Sequence, residues 1–349
     1  MDALSEVLRV VRLSSAIFFN ARFTAPWCFS SPAAASVMDI LHPGAERLVV
    51  FHLLTEGECH LQIEGSPEVM LHAGDVIVFP HGDAHLMTSA PGVTPGGATD
   101  LQAILRRRPR MLRYGGGGAA TRFVCGYLVC DPRLCRSILA ALPQVLVVNL
   151  RTDGKTDWLE QSIQYAVDEA ASPRPGGEGM LAKLSEVLFV ETLRRYIARL
   201  PTEQTGWLAG LRDRPVARAL ALMHERPAHD WTLEELAREC GTSRSVLSER
   251  FSHFVAQSPM GYLTRWRMAL AANLLRNSSM SLCRVGEEVG YPTDTAFSRA
   301  FRREFGVPPA TWRRRELRPQ AAAPAAAPQA KYVAVAATPV SQPGPAATP

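Results

Sequence analysis

Two groups of hydrogen-bonding side chains recur about fifty residues apart: Arg244, Ser245, Ser248 and Glu249, then Thr293, Asp294, Thr295, Ser298 and Arg299. Arginine can pair with guanine O6 and N7, while hydroxyl and carboxylate groups offer further contacts to base edges. Such a set has the chemistry to read double-stranded DNA, each good contact discriminating by about 1–3 kcal/mol. Arg250, Arg265, Arg267, Arg302 and Arg303 lie among or near them and are candidates for phosphate contact, which strengthens binding without specifying sequence. A separate set, His52, His60, His81 and His85, falls in the N-terminal half beside Glu56 and Glu58. Histidines there can hold a metal, satisfy buried hydrogen bonds or line an effector pocket.

Reading DNA requires rigid helices, and the local sequence supplies them. Thr232 is placed to cap a helix with Glu235 at the reciprocal position, and Leu233, Leu236 and Ala237 begin its inward face. Gly241 breaks the chain, after which Val246, Leu247, Phe251 and Phe254 form a second stripe expected to be buried, starting after Ser243. A comparable unit begins at Ser281 and continues after Thr293, where Phe297, Phe301 and Phe305 recur every four residues, leaving Asp294, Thr295, Ser298, Arg299 and Arg302 for the outer side. Between the units, residues 262–275 read as a long connecting helix anchored by Leu263, Trp266, Leu270, Leu274 and Leu275. Two local features weaken the second unit: Gly286 stands at a packing position, and Arg284 replaces the acidic partner that Ser281 would use in a capping box.

The N-terminal half reads differently. Residues 48–54, 59–63, 69–71, 76–79 and 122–129 are short apolar or alternating runs between Gly, Pro and charged turns, the pattern of a small antiparallel sandwich or barrel. Residues 157–171 and 179–200 have helical periodicity and can join domains, join subunits or cover the sheet of their own subunit. The run Gly115 to Gly118 lacks the Gly-Lys-Ser/Thr that follows in a nucleotide loop and reads as a surface turn.

The segment GDVIVFPHGDAH at 74–85 resembles the second motif of the cupin superfamily, with Gly74, Pro80, Gly82 and His85 in its spacing, and the resemblance spans about residues 25–128. It implies a β-barrel whose interior binds a small effector or stabilises the domain. Of the metal ligands many cupin enzymes carry, only His85 matches, because no His-Xaa-His pair followed by Glu at the family spacing precedes it. No metal, cofactor or catalytic residue is therefore assigned, and the four histidines stand as candidate lining of an effector pocket. Residues 217–315 resemble the DNA-binding domain of AraC/XylS regulators, most clearly in VGY at 289–291, AFSRAFRREFG at 296–306 and Pro309. That resemblance implies seven helices carrying two reading units that reach successive major grooves roughly 34 Å apart on one face of the duplex.

Composition agrees. Residues 212–318 hold 18 Arg and no Lys against 12 acidic residues, or +6, within a chain whose total is +5, so the excess is local. Seven cysteines without CxxC spacing suggest neither a disulfide framework nor a zinc finger, and no apolar run is long enough to span a membrane. Cytoplasmic residence follows as the default. The expectation is a two-domain α+β protein: a cupin-like β-barrel at 1–150, a helical connector or dimerisation region at 151–211, an all-α domain with two helix-turn-helix units at 212–316, and a disordered Ala/Pro-rich tail at 317–349. Its expected function is sequence-specific transcriptional regulation without catalysis, with activation favoured by the resemblance. Promoter DNA and RNA polymerase are the expected partners, and a small effector and a homodimer are the further ones it leaves open. The competing readings are a metal-dependent cupin enzyme fused to a regulator, and a protein-interaction scaffold.

Overall fold

The computed structural model describes residues 2–11, 14–94, 101–107, 111–130, 139, 142–151, 161–162, 165, 168–169 and 174–316. Most of the helical pattern at 157–171 and the whole Ala/Pro-rich segment at 317–349 lie outside the described residues. The chain divides into two compact units: Leu13–Pro132 and Leu142–Arg199 belong to one, Met1–Arg12, Arg133–Ala141 and Leu200–Ala334 to the other. Among the described residues no helix is long and apolar enough to cross a membrane.

Among the described residues the first unit is built on ten strands: β1 Ser14–Thr24, β2 Cys28–Ser31, β3 Leu48–Glu56, β4 Glu58–Gln62, β5 Val69–His72, β6 Asp75–Phe79, β7 His85–Thr88, β8 Met111–Gly115, β9 Ala120–Val129 and β10 Leu146–Asn149. They form a six-stranded sheet in the order β10-β6-β3-β9-β1-β8 and a four-stranded sheet in the order β2-β7-β4-β5. The expected barrel is thereby corrected. Neither sheet closes, since β10 and β8 end one and β2 and β5 end the other, and closure demands that the two ends of a sheet pair with a fixed stagger. The edge strand β8 runs parallel to β1 at the far end from β10. What replaces closure is layering. Val50, Leu54, Ile77 and Phe79 of the larger sheet share one core with Phe29, Leu61, Leu71 and Met87 of the smaller, filled by the rings of Phe23, Trp27 and Phe123.

The alternate residues Phe51, Leu53, Val76 and Val78 face the other way, toward Ser185, Leu188 and Phe189 of a long helix, Gly177–Arg199. Arg195 on that helix donates to the carbonyls of Asn149 and Leu150 at 3.3 and 3.1 Å, tying it to the end of β10. The helix expected at 179–200 therefore covers the sheet of its own subunit. Both faces of β3 are buried, which explains its run of consecutive apolar residues. The glycine run forms the turn between β8 and β9 for a steric reason. A Cβ at Gly115 or Gly118 would strike the carbonyl oxygen of Thr24 or Ala25, and one at Gly116 the ring of Pro26. Gly116, Gly117 and Gly118 donate their N–H groups to Thr24 O, Thr24 Oγ1 and Ala25 O, so the donors a phosphate would need are already used.

The second unit is helical. Numbering helices along the chain, α1 is Ala3–Val11, α2 Met38–Leu41, α3 Leu101–Arg107 and α4 Gly177–Arg199; then come α5 Trp207–Gly210, α6 Arg214–Glu225, α7 Leu233–Glu239, α8 Arg244–Val255, α9 Pro259–Asn277, α10 Leu282–Glu288, α11 Asp294–Phe305 and α12 Pro309–Glu316. Seven helices thus lie between Arg214 and Glu316. The apolar residues Tyr262, Leu263 and Trp266 near the start of α9 are buried, as are Met268, Ala271, Ala272 and Leu275 farther along. The later four belong to the core of the second unit with Val285, Phe297, Phe301 and Trp312.

Candidate nucleic-acid interface

The two helix-turn-helix units are built to one plan at an offset of fifty residues. Ser243 and Thr293 cap α8 and α11, accepting from Val246 N at 3.3 Å and Ala296 N at 3.2 Å. Leu247 and Phe251 in one helix, and Phe297 and Phe301 in the other, are fully buried. Each helix ends on a left-handed residue, Ala256 at φ 57° and Gly306 at φ 74°. Alanine strains in that region whereas glycine does not, so the first unit closes at a conformational cost that the second avoids.

The helix before each reading helix is also capped as expected. Glu235 N donates to Thr232 Oγ1 at 3.1 Å and Arg284 N to Ser281 Oγ at 3.2 Å. The Glu235 carboxylate is held below its usual range first by His229, and the Thr232 backbone N–H adds to this as the capping box requires. Arg284 turns instead to Glu287 and Glu288. Gly286 does more than weaken its helix: a Cβ there would meet the Phe297 side chain at 3.3 Å, so the glycine sets how closely α10 approaches α11.

Anchored this way, each reading helix points its polar residues outward. Arg244, Ser245 and Glu249 are exposed on α8, with Ser248 half-buried; Thr293, Asp294, Thr295 and Arg299 are exposed on α11 and its cap, with Ser298 half-buried. The candidates for phosphate contact separate into two kinds. Arg265, Arg302 and Arg303 are exposed. Arg250 is tied to buried Asp213, donating from Nε at 2.9 Å, and Arg267 donates to the carbonyls of Pro227 and His229, both at 2.7 Å. Asp213 also caps α6 by accepting from Val216 N at 3.1 Å, so one carboxylate links the start of α6 to the reading helix α8. The segment preceding α6 reaches the other end of α8, where Gly206 N donates to Phe254 O at 2.8 Å. Neither link has a local sequence signature, because the partners are separated by 37 residues or more. One expectation is overturned: Val246, read as part of the buried stripe, is 42% exposed. It lies one helical step of about 100° from Leu247, which turns it out of the core.

The chain matches the family model for a cupin over residues 2–198 and that for a helix-turn-helix domain over residues 236–315. A protein described as an AraC-like transcription regulator from Streptomyces lividans is 30% identical over 326 residues, covering 91% of this chain and 100% of that one. The chain belongs to the AraC/XylS family of transcriptional regulators. An RCS-specific HTH-type transcriptional activator from Escherichia coli is 25% identical over 316 residues, covering 90% of this chain and 98% of its own. Among solved structures, the DNA-binding domain of AdpA in complex with a target DNA is 30% identical, covering 30% of this chain and 97% of that one, with a TM-score of 0.29. This AraC/XylS protein is a DNA-binding transcriptional regulator that carries a cupin-family domain ahead of its two helix-turn-helix units.

In the regulator's sheet unit the four candidate histidines do not form one site. His60 pairs with Glu68 at 2.7 Å, and His81 Nε2 donates to the carbonyl of Leu142 at 3.2 Å. His52 and His85 do meet, Nε2 to Nε2 at 3.0 Å, and His52 Nδ1 lies 3.0 Å from Cys125 Sγ. Because the Asp83 carbonyl can only accept, His85 carries its hydrogen on Nδ1, 3.0 Å away, and uses Nε2 as acceptor. His52 must then donate from Nε2 and accept the Cys125 thiol hydrogen at Nδ1. The chain Cys125–His52–His85–Asp83 is thereby fully satisfied. Burial holds His52 well below its ordinary range, helped by His85, pushes His85 down to about 4, and pushes the Cys125 thiol up. Two imidazoles hydrogen-bonded to each other, beside a thiol that burial favours in its protonated form, do not fit the metal set of a cupin enzyme, and among the described residues no group of three or more His, Cys, Asp or Glu could hold a metal ion.

Proposed function

We propose that the regulator activates transcription by placing α8 and α11 in successive major grooves of promoter DNA and recruiting RNA polymerase, with no catalytic step of its own. The observation that carries this reading is the fifty-residue repeat of cap, buried aromatic or leucine anchors and outward polar face in the two helices. The activating sign rests on the name of the Escherichia coli relative. Base contacts fall to Arg244, Ser245, Ser248 and Glu249 in the first unit and to Thr293, Asp294, Thr295, Ser298 and Arg299 in the second. Arg265, Arg302 and Arg303 serve the phosphates; Arg250 and Arg267 contribute charge from positions held by Asp213 and by backbone carbonyls.

The cupin-family unit controls this binding through a small effector or through pairing of two copies. Met180 and Val187 of α4 remain exposed, an apolar surface that a second copy would cover. An effector acts only if it binds two functional states with different affinity.

Substitution of two arginines on one helix tests the recognition step. Arg299→Ala is expected to relax specificity, costing about 1–3 kcal/mol on the cognate duplex and little on a scrambled one. Arg303→Ala should weaken both duplexes alike and lower the salt slope by about one ion. Binding curves on the two duplexes at several salt concentrations check this; equal loss for Arg299→Ala on every sequence would remove it from the base-reading set.

A further inference from the structure

We infer that Val246 reads the 5-methyl group of a thymine in the half-site of the first helix-turn-helix unit. The inference rests on α8 being the reading helix proposed above. A single exposed valine is ordinary on a protein surface; its position in the repeat gives this one meaning. Val246 is the third residue of α8, and its backbone N–H is held by the Ser243 cap, so its Cβ is fixed at the end of the helix that leads into the groove. Exposed Ser245 and Glu249 stand beside it while Leu247 and Phe251 turn inward. The equivalent position of α11 is Ala296, also apolar and also held by its cap. In the first helix of each unit the same third position is charged instead, Glu235 in α7 and Arg284 in α10. Within the two helix-turn-helix units, apolar third residues thus coincide with the reading helices; in α6, outside those units, the third residue Val216 is apolar too, but it is fully buried whereas Val246 is exposed.

The chemistry fits one feature of the groove. Serine, glutamate and arginine on α8 address donors and acceptors, but the thymine methyl group offers neither and is read only by apolar atoms. Valine is suited to this because its β-branch restricts χ1 and leaves little side-chain freedom to lose on contact. An acidic residue at this position, common in capping boxes, would meet the phosphates unfavourably.

The test uses the full chain and the strongest duplex it footprints, with each thymine of the first half-site replaced in turn by deoxyuridine, which lacks only the methyl group. One replacement is expected to weaken the wild-type protein about fourfold, the size of one buried methyl group. Val246→Ala should bind the thymine duplex about fourfold or more weakly and no longer distinguish thymine from uracil at that position. Val246→Thr, which keeps the branched shape but replaces a methyl group by a hydroxyl, should show a reduced preference. The inference is overturned if no uracil position loses its effect in Val246→Ala, or if the half-site holds no thymine, while specific binding persists; the DNA-reading assignment then stands. A wild-type chain with no sequence preference overturns both.

Discussion

Phe301→Ala is expected to cost about 3–5 kcal/mol and to abolish protection of the second half-site. Phe301 is fully buried in the core of the second unit, with ring centroids 5.7 Å from Phe297, 4.5 Å from Phe305 and 5.8 Å from Trp312. These contacts join the reading helix α11 to α12, and the same core holds Ala271, Ala272 and Leu275 of α9. Truncation leaves a cavity among three rings that cannot collapse without shifting α11, so the outward face of that helix loses its fixed direction. Chemical denaturation followed by far-UV circular dichroism measures the stability loss, and footprinting of the variant shows which half-site disappears. Full protection of both half-sites at unchanged stability would show that the core does not position the reading face.

The second large effect falls on the first unit. Asp213→Ala should cost about 2–3 kcal/mol, roughly 1 from the lost α6 cap and the rest from the bonds to Arg250. The upper end of the buried-pair range does not apply, because the Arg250 side chain is half exposed and can return to water. Asp213→Asn separates the two contributions, since an amide oxygen can still accept from Val216 N while the ion pair is lost. Stability should rank wild type, then Asn, then Ala, and first-half-site affinity should follow the same order because Arg250 is on the reading helix. If Asn and Ala are equally destabilised, the cap contributes nothing; if DNA affinity is unchanged in both, the ion pair does not position α8.

What was legible before the structure depended on how local each signal is. The helix-turn-helix units were readable because caps and apolar anchors lie within four residues of one another: Thr232 with Glu235, Ser243 with Leu247, Thr293 with Phe297. Five strands of the sheet unit, β3 to β6 and β9, were visible as bounded apolar runs. The strand β1 was not, because its eleven residues follow α1 without a turn signal, and β2, β7, β8 and β10 went unread as well. The parallel pairing of β1 with β8 joins Asn20 to Met111, a separation that periodicity does not record. For the same reason a barrel was expected where two open sheets stand: the motif at 74–85 specifies strands and turns, whereas closure is decided by pairing between edges.

The candidate site was readable in outline and less so in its contacts. The outward residues of α8 and α11 followed from the phase of the anchors, and applying that phase strictly would have placed Val246 outside the core. The roles of Arg250 and Arg267 could not be read, since Asp213, Pro227 and His229 reach them only through tertiary packing. The histidines illustrate the same limit: His52 and His85 are 33 residues apart and meet, while His81, four residues before His85, goes elsewhere.

The most direct measurement is hydroxyl-radical footprinting of the full chain on promoter fragments recovered by genome-wide binding, beside scrambled duplexes of the same composition. Two protected segments on one face of the duplex, about one helical turn or 34 Å apart, are predicted on the recovered fragments alone. Protection of scrambled and recovered fragments to the same extent would contradict sequence-specific regulation by the paired helices.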